Sequence, residues 1–299
     1  MPWSKQVQGS IYVITTLLIW ALFAVFSRML GSQQLNSWDL NFLRFAFATL
    51  FIGFYFCWTR RWVSFPVVPM LVLSLFGGIG YCAIVYAGFL FAPVSHSAIW
   101  LNTCIPVSTF FLSWLLISKQ VSSQDLKVLF TILSAIAVML IYGLSTGSYQ
   151  FSIGDLFFFF GSIFWSAYTL LLKKFKINIR QAIVGVTVTS FVIYLPIYLL
   201  FLPKNILQES WQVIIMQGVF HGFLMVIVAS ISFIKSVELL GAFKAGSILA
   251  LAPFLAVMLA IPMLGEWPEV ASLIGLAGLL IAILKPWNWS VFSVPLSRE

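Results

Sequence analysis

Residues 11–26, which read IYVITTLLIWALFAVF, contain no charged side chain and decide the class of fold. A transmembrane helix needs about 20 predominantly apolar residues, and with its flanks this stretch covers about residues 9–30. Similar stretches follow along the whole chain, separated by short connections. The predicted spans are about 9–30, 39–58, 67–91, 95–117, 124–144, 154–172, 181–202, 211–234, 243–264 and 269–286. The sequence therefore predicts an all-α polytopic membrane protein with ten transmembrane helices.

The composition excludes a water-soluble fold. Of 299 residues, 62% are hydrophobic and only 8% are charged, whereas a soluble domain has about 25% charged residues. No connection is long enough to form a soluble domain, so a substrate site must lie among the helices. The three cysteines fall inside spans without disulfide or metal spacing, and we predict no metal site and no cofactor.

The basic residues indicate the orientation. With the N-terminus in the cytoplasm, most Lys and Arg lie at cytoplasmic helix ends, and the outer ends collect little beyond Lys204. We therefore expect both termini in the cytoplasm. Basic residues spread along one membrane face suit anionic lipid rather than nucleic acid, so the expected partners are the lipid bilayer and a small-molecule substrate. A monomer is compatible with the sequence.

The two halves of the chain resemble each other at a shift of about 147 residues. Three pairs coincide at or near this shift: Trp20 with Trp165, Pro106 with Pro253, and Lys119 with Glu266. Five spans in each half place the repeats in opposite orientations, an arrangement typical of alternating-access transporters. We divide the chain into repeats 1–147 and 148–299. The two prolines are candidate gating bends, or else tolerated kinks whose freed carbonyls are satisfied by neighbouring groups.

Arg44 is the conspicuous charge inside a span, about a turn and a half into the second helix. One interpretation is structural, with the side chain reaching the interface or pairing with Asp39. The other is that the guanidinium binds a carboxylate or another anionic group of the substrate. Arg28 lies nearer a helix end, where reaching the interface is the expected role.

Other candidate substrate-binding residues are polar or aromatic side chains placed within spans. A histidine or amide there can also be satisfied by a neighbouring helix, and an aromatic ring can simply pack. For His96 we expect a neutral ring bonded to a backbone carbonyl rather than a proton carrier, and for His221 both roles remain open. The candidates are Trp20, Asn41, Tyr81, Tyr86, Trp100, Asn102, Trp165, Tyr168 and His221.

Several mechanisms lack their sequence signatures. No carboxylate lies near the centre of a predicted span, so the common proton-coupling device is missing. A phosphate-binding loop with its lysine is also missing, as are HExxH and GxSxG. We therefore predict that the protein is not an enzyme, and a membrane-embedded enzyme remains a distant alternative.

The order and spacing of these features resemble the drug/metabolite transporter superfamily, and within it the EamA-like ten-helix transporters with their aromatic amino acid exporter branch. The resemblance rests on Trp20 in WALFAVFSR, Arg44 in LRF, residues 93–98 leading to Pro106, Trp165, residues 252–266, Gly275 and Gly278. Lys119 departs from the Gly-Glu pair of the family's repeat. The resemblance implies an exporter or facilitator in a bacterial-type inner membrane, and we expect amino acids or related zwitterions as substrates. Multidrug and nucleotide-sugar transport on the same fold are the alternatives.

Overall fold

The computed structural model describes residues 4–60, 62–117 and 123–284, and these residues form ten helical segments. In chain order they are α1 (Lys5–Arg28), α2 (Ser37–Thr59), α3 (Val67–Phe91), α4 (Val94–Leu116), α5 (Ser123–Thr146), α6 (Ile153–Lys174), α7 (Ile179–Phe201), α8 (Trp211–Leu240), α9 (Ala242–Leu249 and Ala252–Leu264) and α10 (Val270–Leu284).

This architecture confirms the predicted all-helical membrane fold. Within the described part of the chain, nine helices are long and apolar enough to cross a membrane, and Val270–Ala282 is a shorter apolar helix. The surface carries large exposed apolar side chains such as Phe130 (74% exposed) and Leu200 (72%), as a lipid-facing surface requires. The expectations about Lys119, and about the basic residues Arg61, Lys285 and Arg298, lie outside the described residues.

Four helices contain a wide π-helical turn, and two of these turns correspond between the halves. Ser74–Ile79 in α3, moved along the chain by about 147 residues, falls within Val219–Val228 in α8. In α4 the wide turn is Ala98–Thr103, and its counterpart α9 is interrupted between Leu249 and Ala252. Such turns frequently mark functional sites, because they displace the regular hydrogen bonds of a helix.

Glycines allow these irregular segments to approach their neighbours closely. A Cβ at Gly77 would collide with the ring of Tyr168, and one at Gly78 would collide with the hydroxyl of Ser190. Gly222 of α8 faces the main chain of α2, where a Cβ would lie 2.8 Å from the backbone nitrogen of Ala48. These contacts place α3 against α6 and α7, and α8 against α2, at the middle of the bundle.

Two apolar clusters lie near one end of the bundle. We call the end where α1 begins the Lys5 end, and the end where α1 finishes the Arg28 end. Near the Lys5 end, α1, α8 and α9 pack around one cluster, whereas α3, α6 and α7 pack around a second cluster with no member in common. The buried members are Val13, Ala245 and Leu249 in the first cluster, and Met70, Leu73 and Val186 in the second.

Candidate functional site

Arg44 lies on α2, whose first turn already uses the nearest carboxylate. Asn36 caps the helix, and the Asp39 carboxylate accepts a hydrogen bond from the Asn36 backbone N–H at 3.0 Å. Asp39 also accepts hydrogen bonds from the hydroxyl of Tyr198 at 2.6 Å and the backbone N–H of Asn205 at 3.2 Å. The structural interpretation that paired Arg44 with Asp39 is therefore wrong, because these three donors surround the Asp39 carboxylate.

The guanidinium of Arg44 instead begins a polar chain that crosses three helices. Its Nη1 donates to the hydroxyl of Tyr86 at 3.3 Å, and this hydroxyl lies 3.1 Å from Nδ1 of His221. Arginine carries donors only, so the Tyr86 oxygen accepts from Arg44 and its own proton points to Nδ1. This assigns His221 as a neutral ring with its proton on Nε2. Its polar partner is Tyr86 rather than a backbone carbonyl.

Three polar atoms of this region are buried without a hydrogen-bond partner among the described residues: Nε of Arg44, Nε2 of His221 and Oδ1 of Asn41. In the same part of the chain, no Asp or Glu forms an ion pair with Arg44. Leaving a buried donor or acceptor unpaired costs about 1–3 kcal/mol, and more for a charged group. The site therefore presents unused donors and an unused acceptor to a ligand.

Aromatic rings from α3 and α6 form a wall beside Arg44. The rings of Tyr81 and Trp165 lie 5.0 Å apart, and those of Trp165 and Tyr168 lie 5.3 Å apart. Tyr81 and Tyr168 are near enough to Arg44 to interact with its charge. Gly77 leaves the space that the Tyr168 ring occupies. Arg44, Tyr81, Tyr86, Trp165, Tyr168 and His221 are thus brought together, with Asn41 one turn before Arg44.

The remaining sequence-predicted residues lie elsewhere. Trp20 packs against Phe233 of α8, with ring centroids 5.7 Å apart. Trp100 donates its indole N–H to Tyr149 at 2.6 Å, and Asn102 donates to the carbonyl of Ser97 within α4 at 3.3 Å. These three side chains have partners outside the Arg44 group, and Trp100 and Asn102 lie on the wide turn of α4. Pro106 and Pro253 follow the two corresponding helix interruptions.

The Arg28 end is closed by a charged link that the sequence did not predict. Nε of Arg28 lies 2.5 Å from Oε1 of Glu266, and Nη1 of Arg28 donates to the carbonyl of Phe89 at 2.7 Å. The other oxygen of Glu266 accepts the backbone N–H of Val94 at 3.0 Å. From the sequence we expect Arg28 to reach the interface, and the structure adds a carboxylate partner that lies directly beside it.

A second buried group lies near this link, around His96. Its Nδ1 lies 2.7 Å from Oδ1 of Asp155, and its ring stacks on Tyr149 with centroids 4.6 Å apart. The prediction of a backbone-carbonyl partner for His96 is therefore wrong. The contact of Asp155 with His96 could not be predicted from the sequence, because Asp155 also completes the capping box of α6 with Ser152. Tyr149, in the connection before α6, has no sequence signature.

Known proteins provide a comparison for this architecture. A model of the EamA-like transporter family matches residues 7–143 and 152–285, one segment in each half of the chain. A solved structure described as "Crystal structure of protein" shares 16% sequence identity, with 92% of this chain and 94% of that chain covered and a TM-score of 0.57. That likeness shows a shared fold. No curated protein matches the chain.

The family match covers nearly the whole length, in two segments that each contain five of the observed helices. It confirms the superfamily and the multi-pass fold, whereas the aromatic amino acid exporter branch stays a prediction. The chain belongs to the EamA-like transporter family, and it is therefore a membrane transporter of the drug/metabolite transporter superfamily.

Proposed function

We propose that this transporter carries small organic metabolites that bear a carboxylate, with amino acids and related zwitterions as the substrate class. The observation that carries the proposal is the guanidinium of Arg44, which has no carboxylate partner and an unbonded Nε among the described residues. A charged side chain at that depth costs about 2.5–3.5 kcal/mol or more unless it is paired or solvated. A substrate carboxylate supplies the missing partner and can accept two parallel hydrogen bonds from the guanidinium.

Asn41 extends the argument from anions to zwitterions. Its amide nitrogen donates to the carbonyl of Ile79 at 3.2 Å, which leaves Oδ1 as a buried acceptor without a partner in the described residues. An acceptor one helical turn from an anion-binding guanidinium suits an ammonium group close to a carboxylate. The Nε2–H of His221 adds a third polar contact.

The aromatic wall accounts for the rest of a metabolite. Tyr81, Trp165 and Tyr168 offer ring faces and edges beside the polar groups, on which an apolar or aromatic substrate side chain can stack. A nucleotide-linked sugar would need several basic groups, and Arg44 is the basic residue that the described part of the centre provides. A cationic drug would need a carboxylate at the same place. The nucleotide-sugar and multidrug alternatives are therefore both disfavoured.

The two ends of the bundle support alternating access. At the Arg28 end, ion pairs join the first five and the second five helices, whereas the two clusters near the Lys5 end join them through apolar contacts. We propose that both termini are cytoplasmic in a bacterial-type inner membrane. The Arg28 end then faces outward and is closed, and the substrate enters from the cytoplasm, as export requires.

A thermal-shift screen of the purified protein tests the substrate class. A ligand that binds only the folded state stabilises it by about 2.7 kcal/mol at 100 times its dissociation constant. We expect amino acids to raise the melting temperature and their carboxamide analogues to fail, because the amide cannot pair with Arg44. Arg44→Gln should abolish the response, whereas the exposed control Arg180→Gln should keep it. Equal shifts with acid and amide, or in Arg44→Gln, would contradict the proposal.

Transport itself is measured in liposomes. Vesicles that contain the protein should pass a labelled amino acid faster than empty vesicles, and Arg44→Gln should reduce the flux to the empty-vesicle rate. Equal flux of a broad metabolite panel, including compounds without a carboxylate, would contradict the assigned role of Arg44.

A further inference from the structure

The ring of His96 lies between two carboxylates contributed by different parts of the chain. Nδ1 lies 2.7 Å from Oδ1 of Asp155, and Nε2 lies 3.5 Å from Oε2 of Glu269. His96 is 2% exposed, and both Nε2 and this Glu269 oxygen are buried without a hydrogen-bond partner among the described residues. The two unpaired atoms face each other.

The hydrogen bonds around Asp155 define where one proton is. Asp155 accepts from the hydroxyl of Tyr149 at 3.0 Å and from the backbone N–H of Ser152 at 2.9 Å. The Tyr149 oxygen receives the indole N–H of Trp100 at 2.6 Å, so the hydroxyl proton is directed to Asp155. Both of these donors bind Oδ2 of Asp155, so Oδ1 and Nδ1 of His96, which lie 2.7 Å apart, share one further proton.

A proton on Nδ1 leaves Nε2 as an acceptor in the neutral ring. Without a further proton, a nitrogen lone pair would face an ionised carboxylate oxygen across 3.5 Å, with both atoms out of contact with water. Two buried acceptors without a donor are unfavourable. One proton on Nε2 converts this contact into an ion pair.

Neighbouring charges strengthen the need for that proton. The charged and titratable groups packed around His96 are Arg28 from α1, Asp155 from α6, Tyr149 before α6, and Glu266 and Glu269 between α9 and α10. The positive charge of Arg28 is already paired with Glu266 at 2.5 Å. An ionised Asp155 and an ionised Glu269 are therefore balanced only if the imidazole is positively charged.

The position of this contact connects it to closure of the Arg28 end. His96 belongs to the first five helices and Glu269 precedes α10, so the contact joins the two halves beside the bond from Val94 to Glu266. The Glu269 side chain is 32% exposed, which gives water a route to exchange the proton. We propose that His96 and Glu269 bind a single proton, and that this proton holds the Arg28 end closed.

This assignment goes beyond the substrate site and does not depend on which metabolite is carried. It also differs from the device whose absence the sequence indicates, a carboxylate at the centre of a span. Here the proton site lies at the end of the bundle, in the contact that must break when the two halves separate at that end.

The chain has two histidines, which permits a direct measurement. With ¹⁵N-labelled histidine in lipid nanodiscs, His96→Gln assigns the His96 ring signals, and a pH titration reports the protons on each nitrogen. We expect Nδ1 to stay protonated throughout and Nε2 to lose its proton in one step. In Glu269→Gln that step should change, because one of the two carboxylates beside the ring is gone. Glu269→Asp keeps a carboxylate and should retain the step.

A distance measurement tests the link to closure. Spin labels at Phe91 and Trp267, which are 56% and 77% exposed, flank the contact in a background without the three native cysteines. The distance between the labels should lengthen over the pH interval in which Nε2 loses its proton, and this interval should move with the ring titration in Glu269→Gln. Glu238→Gln, at an exposed ion pair with Lys235 near the Lys5 end, is the matched control and should change neither.

Three results would overturn the proposal: an Nε2 atom that never binds a proton between pH 5 and pH 9, the same ring titration in Glu269→Gln as in the natural protein, or a label distance that does not follow the titration.

Discussion

Arg28 at the end of α1 and Glu266 after α9 form an ion pair across the two halves of the transporter, with 2.5 Å between Nε and Oε1. Their side chains are 24% and 22% exposed, and each also binds a backbone group, Arg28 at the end of α3 and Glu266 at the start of α4. The pair therefore joins α1, α9 and the start of α4 in one contact. Because the partners belong to different halves, this contact must break for the Arg28 end to open.

Arg28→Gln and Glu266→Gln should each favour opening at this end. We expect a coupling energy of about 1 kcal/mol between the two positions in a double-mutant cycle of thermal unfolding, because the pair is only partly buried. Spin labels at Phe91 and Trp267 should move apart in both single variants. The charge exchange Arg28→Glu with Glu266→Arg should restore part of the closure. Additive effects on unfolding and an unchanged label distance would show that the pair does not hold this end.

Tyr86→Phe should damage the central site more than the loss of one hydroxyl suggests. The hydroxyl accepts from Arg44 at 3.3 Å and lies 3.1 Å from Nδ1 of His221, so its removal leaves a buried donor and a buried acceptor unpaired. We expect the free energy of unfolding to fall by about 1–3 kcal/mol. Added substrate should recover part of this loss, because its carboxylate pairs with Arg44.

The matched control for Tyr86→Phe is Tyr142→Phe, at a tyrosine that is 38% exposed on α5. This change should alter the free energy of unfolding by no more than about 0.5 kcal/mol. If the two variants unfold at the same temperature, the chain of bonds from Arg44 to His221 contributes no stability.

The sequence predicts the fold well for a specific physical reason. Each span must be apolar over its full length, so the ten segments can be read individually, and the repeat is preserved in Pro106 and Pro253 and in the matching interruptions of α4 and α9. Arg44 could be identified because a charge within a span is rare. A single sequence, however, does not show which side chains meet across the bundle.

Two of the contacts that the sequence missed involve charges at helix ends. Asp155 and Glu266 lie where a carboxylate ordinarily caps a helix or faces water, and nothing in their local sequence indicates His96 or Arg28 as partners. Trp100 was assigned to the substrate site from its depth, yet its indole N–H points to Tyr149. The wide turn at Ala98–Thr103, which sets that direction, has no sequence signature of its own.

Gly222→Ala should weaken the packing of α8 on α2 next to Arg44. The new Cβ would lie 2.8 Å from the backbone nitrogen of Ala48 and 3.0 Å from the carbonyl oxygen of Arg44, and main-chain atoms cannot move aside cheaply. We expect a loss of about 1–3 kcal/mol in the free energy of unfolding and weaker substrate binding.

Gly53→Ala on α2 is the control, because its Cβ meets nothing within 4 Å. That change should be neutral or stabilise the helix by up to about 1 kcal/mol. Similar melting temperatures for the two variants would contradict the close packing.

Pro106→Ala and Pro253→Ala test whether the matching interruptions of α4 and α9 act in gating. A proline lacks the N–H that would bond the carbonyl four residues earlier, so each one frees a carbonyl beside the interruption of its helix. Alanine restores that bond and favours a continuous helix. If bending at these points accompanies the exchange between the two open states, the liposome flux should fall several-fold while the dissociation constant of the substrate stays nearly unchanged. Pro196→Ala, at the proline inside α7, is the control for removing a helix proline elsewhere. A loss of binding equal to the loss of flux would show that the two prolines shape the site, and unchanged flux would show that they are tolerated kinks.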